Sequence, residues 1–216
     1  MIHPSLWDVY LVTDRAFSRG RSTPEIVEAA IRGGVSVVQL REKDLDTRDF
    51  YTEAAQIRDL LRSADIPLII NDRIDIALAV DADGVHVGRH DMPVRIARKI
   101  LGPDRIIGLS LNKLKDITEE ALAFADYLAV SPVFSTATKL DTAPEWGLEG
   151  LRKARELTDM PLVAIGSIKN ENAGQVVMAG ADCVAVVTAI VSAENPEQAT
   201  RGLVEIVRGA KKASQR

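Results

Sequence analysis

The chain has 216 residues, 46% of them apolar and 27% charged, and a formal net charge of -4. That is enough apolar material for one large core and too much for a disordered chain. The acidic balance argues against a nucleic-acid or anionic-membrane surface, so any anion site must be local. The single cysteine, Cys183, sits in the apolar run CVAVV and reads as a small buried hydrophobe; one cysteine admits no disulfide within the chain. The opening MIHPSLWDVYLVTD lacks the basic flank and long apolar stretch of a signal peptide. No later apolar run approaches the roughly 20 residues that span a bilayer, which predicts a soluble, cytoplasmic protein.

In chain order, eight β-rich runs appear: YLVT, VSVVQL, PLIIN, GVHVG, RIIGLS, DYLAVS, PLVAIG and CVAVV. Each is followed by a segment of helical character. In TPEIVEAAIRGG, Thr23 is the expected cap, Pro24 suits the first helical position, and Ile26, Ala30 and Ile31 share a face. DTRDFYTEAAQIRDLLRSAD is the clearest helix of the set. A weak internal echo recurs before four strands, as GGVSVVQL, DADGVHVG, FADYLAV and AGADCVAVV. Strands apolar on both faces and separated by helices imply a parallel sheet covered by helices. Eight units in 216 residues average about 27 residues each, which fits an α/β chain folded as one compact (β/α)8 TIM barrel over residues 1–216 better than an open doubly wound sheet.

In such barrels the working face lies at the C-terminal ends of the strands. Strand two ends in QLREKD, where Gln39, Arg41 and Lys43 alternate and project from one side of an extended segment. Two cations and an amide there suit a diphosphate; the run also reads as a solvated loop. Strand three ends in Asn71 and Asp72, and GRHDMP places Asp91 beyond strand four. Two carboxylates on neighbouring strand ends can share one hard cation such as Mg2+, or each can cap the helix that follows. Ser110 ends strand five. The stretch SPVFSTATKLDT offers Thr136, Thr138 and Lys139 to an anionic ligand, or is an ordinary Ser/Thr turn. Strand seven closes in AIGS before NENAGQVV, and strand eight in VVTAIV; by analogy with the fold these two loops form a phosphate cradle. His86, in GVHVG, reads as a hydrogen-bonded histidine of the barrel interior. Trp7 and Trp146 are not interleaved with basic residues in the manner of a base-stacking surface.

Taken together and in order, QLREKD, IINDRIDIALAVDADGVHVGRHDMP, GLS, SPVFSTATKLD and AGAD leading into VAVVTAI make the chain resemble the thiamine phosphate synthase family from YLVTDR to the last helix. The resemblance implies a (β/α)8 barrel that joins an aminopyrimidine methyl diphosphate to a thiazole phosphate, releases diphosphate and requires Mg2+. It implies small-molecule substrates, no nucleic acid and no membrane, and leaves a homo-oligomer open. Carried over by motif, Gln39, Arg41, Lys43, Asn71, Ser110 and Lys139 would contact the pyrimidine diphosphate, with Arg41, Lys43, Ser110 and Lys139 serving catalysis. Asp72 and Asp91 would hold Mg2+. Thr136, Thr138, Ser167, Val187 and Thr188 would receive the thiazole phosphate.

Three positions depart from the family pattern: Ser167 where a second glycine is usual, Asn112 where a histidine is common, and Thr188 where serine is more usual. Ser167 is expected either to crowd the phosphate or to donate a hydrogen bond to it. The rival readings are a related thiazole tautomerase, which has little use for Arg41, Lys43, Asp72, Asp91 and Lys139 together, and a silent ligand-sensing barrel. KLDTAPEWGLEG, from Lys139 onward, reads equally as a lid or as an ordered loop.

Overall fold

The computed structural model describes residues 3–135 and 144–214. Its eight strands are β1 (Val9–Val12), β2 (Val37–Leu40), β3 (Leu68–Asn71), β4 (Gly84–Val87), β5 (Ile106–Leu111), β6 (Tyr127–Val130), β7 (Leu162–Ile165) and β8 (Cys183–Val186). All neighbours pair in parallel, and β1 pairs with β8, which closes the barrel. The helices on its outside are α1 (Thr23–Gly33), α2 (Thr47–Arg62), α3 (Ile74–Ala79), α4 (Val94–Leu101), α5 (Glu119–Phe124), α6 (Gly147–Leu157), α7 (Asn170–Met178), a short α8 (Thr188–Val191) and α9 (Pro196–Ser214).

The uninterrupted apolar runs are explained by burial on two faces. Val9, Leu11, Val38, Leu40, Leu68 and Ile70 point outward into a core shared with the helices. Their neighbours Tyr10, Val12, Val37, Ile69, Tyr127 and Val163 fill the barrel interior together with Trp7 and Cys183. Two residues on from that interior layer, the same parity brings Gln39, Asn71, Ser110 and Asp14 toward the mouth at the C-terminal strand ends. Gly108 of β5 leaves the room that Tyr127 fills: a Cβ there would lie 2.0 Å from the tyrosine ring.

The internal echo has a physical cause. The polar residue just before each even-numbered strand accepts a backbone N–H at or next to the start of the odd-numbered strand beside it. Asp83 takes Leu68 N at 2.8 Å, Asp126 takes Ile107 N at 2.7 Å, and Asp182 takes Leu162 N at 2.8 Å. Ser36 Oγ does the same for Asp8 N at 3.0 Å. Arg98 and Arg155 pair with Asp126 and Asp182 and also donate to nearby carbonyls, so these half-buried acids are compensated.

One local expectation is corrected. The cap of α1 is Ser22, not Thr23: Ser22 has extended backbone angles, and it forms a reciprocal capping box with Glu25 three residues on. Thr23 is instead a buried first-turn residue. Among the described residues no helix is long and apolar enough to cross a membrane.

Candidate active site

A cavity of about 210 Å³ opens at the C-terminal mouth of the barrel. Ten of the sequence-predicted residues line it: Gln39, Arg41, Lys43, Asn71, Asp72, Asp91 and Ser110 from one side, and Ser167, Val187 and Thr188 from the other. Thr136, Thr138 and Lys139 lie outside the described residues, as do the first residues of KLDTAPEWGLEG.

The basic side is held by acids. Arg41 Nη1 donates to Asp14 Oδ2 at 2.7 Å, and Asp14 in turn accepts Ala16 N through its other oxygen. Lys43 forms an ion pair with Asp72. Asp72 follows the last residue of β3 and turns into the left-handed region, with φ 61°, a conformation that aspartate tolerates better than most residues. Its backbone N–H is tied to His86 O at 2.9 Å. Its carboxylate reaches that of Asp91, which also accepts Gly88 N at 2.7 Å. Burial and the neighbouring Asp72 push the Asp91 carboxyl above its usual range.

Neither acid caps a helix. The cap positions of α3 and α4 are Arg73 and Pro93, and no side-chain hydrogen bond caps either helix. What remains is a pair of crowded carboxylates with one lysine between them and the cation side. Two hard oxygen donors in contact fit Mg2+, which commonly takes one or two carboxylates and fills its other positions with water and substrate phosphate. Among the described residues no group of three or more His, Cys, Asp or Glu forms a fuller metal cage.

The opposite side of the cavity, at the β6 and β7 loops, is built from close backbone approach. Gly166 has φ 121°, and a Cβ on it would lie 2.8 Å from Val133 N and Pro132 Cβ, so the β6 and β7 loops touch only because this residue is glycine. Ser167 follows with φ 49°, a left-handed backbone that favours glycine. Its hydroxyl donates to Ser135 O at 2.6 Å, which ties the β7 loop to the β6 loop. Asn172 Nδ2 binds Ser167 O at 3.0 Å and Asn172 Oδ1 takes Lys169 N at 2.8 Å, which ties the β7 loop to the start of α7. Thr188 is the first residue of α8. Asn112 lies away from the cavity lining, and its backbone N–H bonds Asp116.

Several lining residues escaped the sequence reading. Asp14 directly follows YLVT, and its place at a strand end was the available signal. Lys169, in SIKN, adds a third cation to the mouth. Tyr10 and Tyr127 line the floor; inside apolar runs they look like core. His86 is interior and hydrogen-bonded to Tyr127 and Ser110, in accord with the sequence reading.

Glu42, between Arg41 and Lys43, has the opposite parity and is not a lining residue. Its side chain is only 4% exposed, Arg15 approaches one oxygen at 3.7 Å, and the other oxygen has no partner among the described residues. Burial, reinforced by Glu53, pushes its carboxyl up to about 7. Between the ordinary carboxylate range and about pH 7 the folded protein therefore holds a proton that the unfolded chain has lost, and stability falls as pH rises through that window. We expect Glu42→Gln to remove this slope and to gain on the order of 1–2 kcal/mol over the parent at pH 8, allowing for solvent screening. Denaturant unfolding at pH 5 and pH 8 checks it; parallel pH dependence in both proteins would refute the assignment.

A closed eight-stranded parallel barrel with its polar cavity at the C-terminal mouth belongs to the (β/α)8 barrel enzymes. The family model described as thiamine monophosphate synthase matches residues 9–190, and the chain belongs to that family. It is 52% identical over 199 residues to the thiamine-phosphate synthase of Albidiferax ferrireducens, covering 92% of this chain and 91% of that one. It is 50% identical over 201 residues to the thiamine-phosphate synthase of Chloroflexus aurantiacus, covering 93% of each. The solved thiamine phosphate pyrophosphorylase from Pyrococcus furiosus superposes with a TM-score of 0.88 at 39% identity, covering 96% of this chain and 98% of that one.

Proposed function

We propose that the chain acts as a thiamine-phosphate synthase, a transferase that moves the 4-amino-2-methylpyrimidin-5-ylmethyl group from its diphosphate to the nitrogen of a thiazole phosphate. Family membership at about half identity over nine-tenths of the chain is the observation that carries this reading. The relatives compared bear synthase names, which favours neither a tautomerase nor a silent sensor. In this reading residues 1–216 form one catalytic domain.

The residues divide by charge. Arg41, Lys43 and Lys139 bind the diphosphate, Gln39, Asn71 and Ser110 hold the pyrimidine, and Thr136, Thr138, Ser167, Val187 and Thr188 receive the thiazole phosphate. Asp72 and Asp91 would hold Mg2+, which when bound supplies positive charge to the leaving diphosphate. Arg41 and Lys43 are each matched by an acid, Asp14 and Asp72.

The reaction breaks the C–O bond to diphosphate, which leaves with the bonding pair. The thiazole nitrogen lone pair forms the new C–N bond, and the positive charge ends on the thiazolium. No proton has to move, so no protein nucleophile or general base is required. The amino-substituted ring supports a cationic carbon, and the work left to the protein is neutralising the leaving group and holding the two heterocycles in line. Cys183 is unsuited to covalent chemistry, because it is buried and its thiol is pushed well up by that burial.

The direct test supplies the pyrimidine diphosphate, the thiazole phosphate and Mg2+ to the protein. Thiamine phosphate and an equal amount of diphosphate are expected. Folded protein that makes neither would overturn the reading.

A further inference from the structure

The floor of the cavity carries a continuous hydrogen-bond chain joining two residues assigned to the pyrimidine. Gln39 Nε2 donates to the Tyr10 hydroxyl at 2.7 Å. The Tyr10 and Tyr127 hydroxyls are 2.9 Å apart. Tyr127 lies 3.0 Å from His86 Nδ1, and His86 Nε2 lies 2.8 Å from Ser110 Oγ. The two phenols are 1% and 0% exposed, so each buried O–H needs an acceptor inside the protein. Burial also drives both well above the ordinary tyrosine range, and they keep their protons.

Each hydroxyl has one proton to donate, and a neutral imidazole has one N–H. With both phenols satisfied within the chain, the protons can all point away from Gln39 or all toward it. The Nε2 contact to Tyr10 belongs to the first direction. Tyr10 then donates to Tyr127, Tyr127 to His86 Nδ1, and His86 Nε2–H to Ser110 Oγ. That leaves Gln39 Oε1 as an acceptor for a ligand, and the Ser110 O–H as a donor.

We propose that Tyr10, Tyr127 and His86 are positioning residues that set this direction and thereby make the cavity select an aminopyrimidine over its oxo counterpart. The proposal rests on the synthase reading, in which Gln39 faces the heterocycle. An amino group donates to Gln39 Oε1, whereas an oxo group would set two acceptors against each other. Removing the Tyr127 hydroxyl takes away the acceptor of Tyr10. Its proton is then satisfied by turning to Gln39 Oε1, which rotates the amide and presents N–H to the ligand.

The test is calorimetric binding of the amino and oxo forms of the pyrimidine diphosphate to the full chain, its Tyr127→Phe variant and its Tyr10→Phe variant. The parent is expected to favour the amino form by about a hundredfold or more. Tyr127→Phe should cut that ratio by at least roughly tenfold, by weakening the amino form and strengthening the oxo form. Nitrogen-15 NMR of the parent should show His86 neutral with its proton on Nε2. An unchanged ratio, an equal loss for both ligands, or a proton on Nδ1 would overturn the proposal. If Tyr127→Phe does not fold, Tyr10→Phe and the tautomer decide. Failure of the synthase reading shows separately, as absence of thiamine phosphate from the parent, whatever the selectivity ratio.

Discussion

Asp72→Ala and Asp91→Ala are each expected to lower turnover by about 10²–10³-fold, the scale of losing several kcal/mol of leaving-group stabilisation. Stability should hardly follow. Burial first and the neighbouring Asp72 second hold the Asp91 carboxyl above its usual range, so removing either acid relieves a like-charge contact. Asp91→Ala gives up the bond to Gly88 N, worth about 1 kcal/mol. Asp72→Asn is the cleaner partner variant, because asparagine also tolerates the left-handed backbone at φ 61°. Mg2+ with diphosphate should raise the parent's melting temperature and leave the variants' unmoved, since only a bound ligand shifts the folding equilibrium. Variants that keep their rate but melt early would make these acids structural turn residues.

The largest stability effect is expected at Gly108, which no catalytic argument touches. A methyl there meets the Tyr127 ring at 2.0 Å and its hydroxyl at 2.2 Å. Tyr127 cannot withdraw, because Trp7 and Tyr10 pack edge-on against it at ring distances of 5.4 and 6.1 Å. Overpacking of this kind costs about 1–3 kcal/mol or more. We expect Gly108→Ala to lose roughly 3 kcal/mol in denaturant unfolding. An alanine variant within about 0.5 kcal/mol of the parent would mean that the barrel interior yields.

Much of the barrel was legible because its strands are buried on both faces. Continuous runs such as LIIN and CVAV can be read without knowing what covers them. The echo of acids and small residues before the even strands was visible as a pattern, though its cause was not. An acceptor for a neighbouring strand's N–H is identified only when the two strands lie side by side. At the site, alternation in QLREKD correctly grouped Gln39, Arg41 and Lys43 on one face, and the same rule left Glu42 on the other. The cap of α1 differs by one residue from the sequence expectation, since Ser22 and Thr23 are both good caps and only the reciprocal bonds with Glu25 separate them.

By itself the sequence determined the α/β barrel, the order of its eight strands and the family, because hydrophobic periodicity and motif spacing are properties of neighbours along the chain. The tertiary structure decided what depends on distances across the barrel: that Asp72 meets Asp91, that Asp14 holds Arg41, that Ser167 binds the β6 loop, and that Tyr10, Tyr127 and His86 link Gln39 to Ser110. Those contacts join residues separated by up to 117 positions. The bonds along the cavity floor follow from burial, which forces each polar group there to find its partner inside the protein.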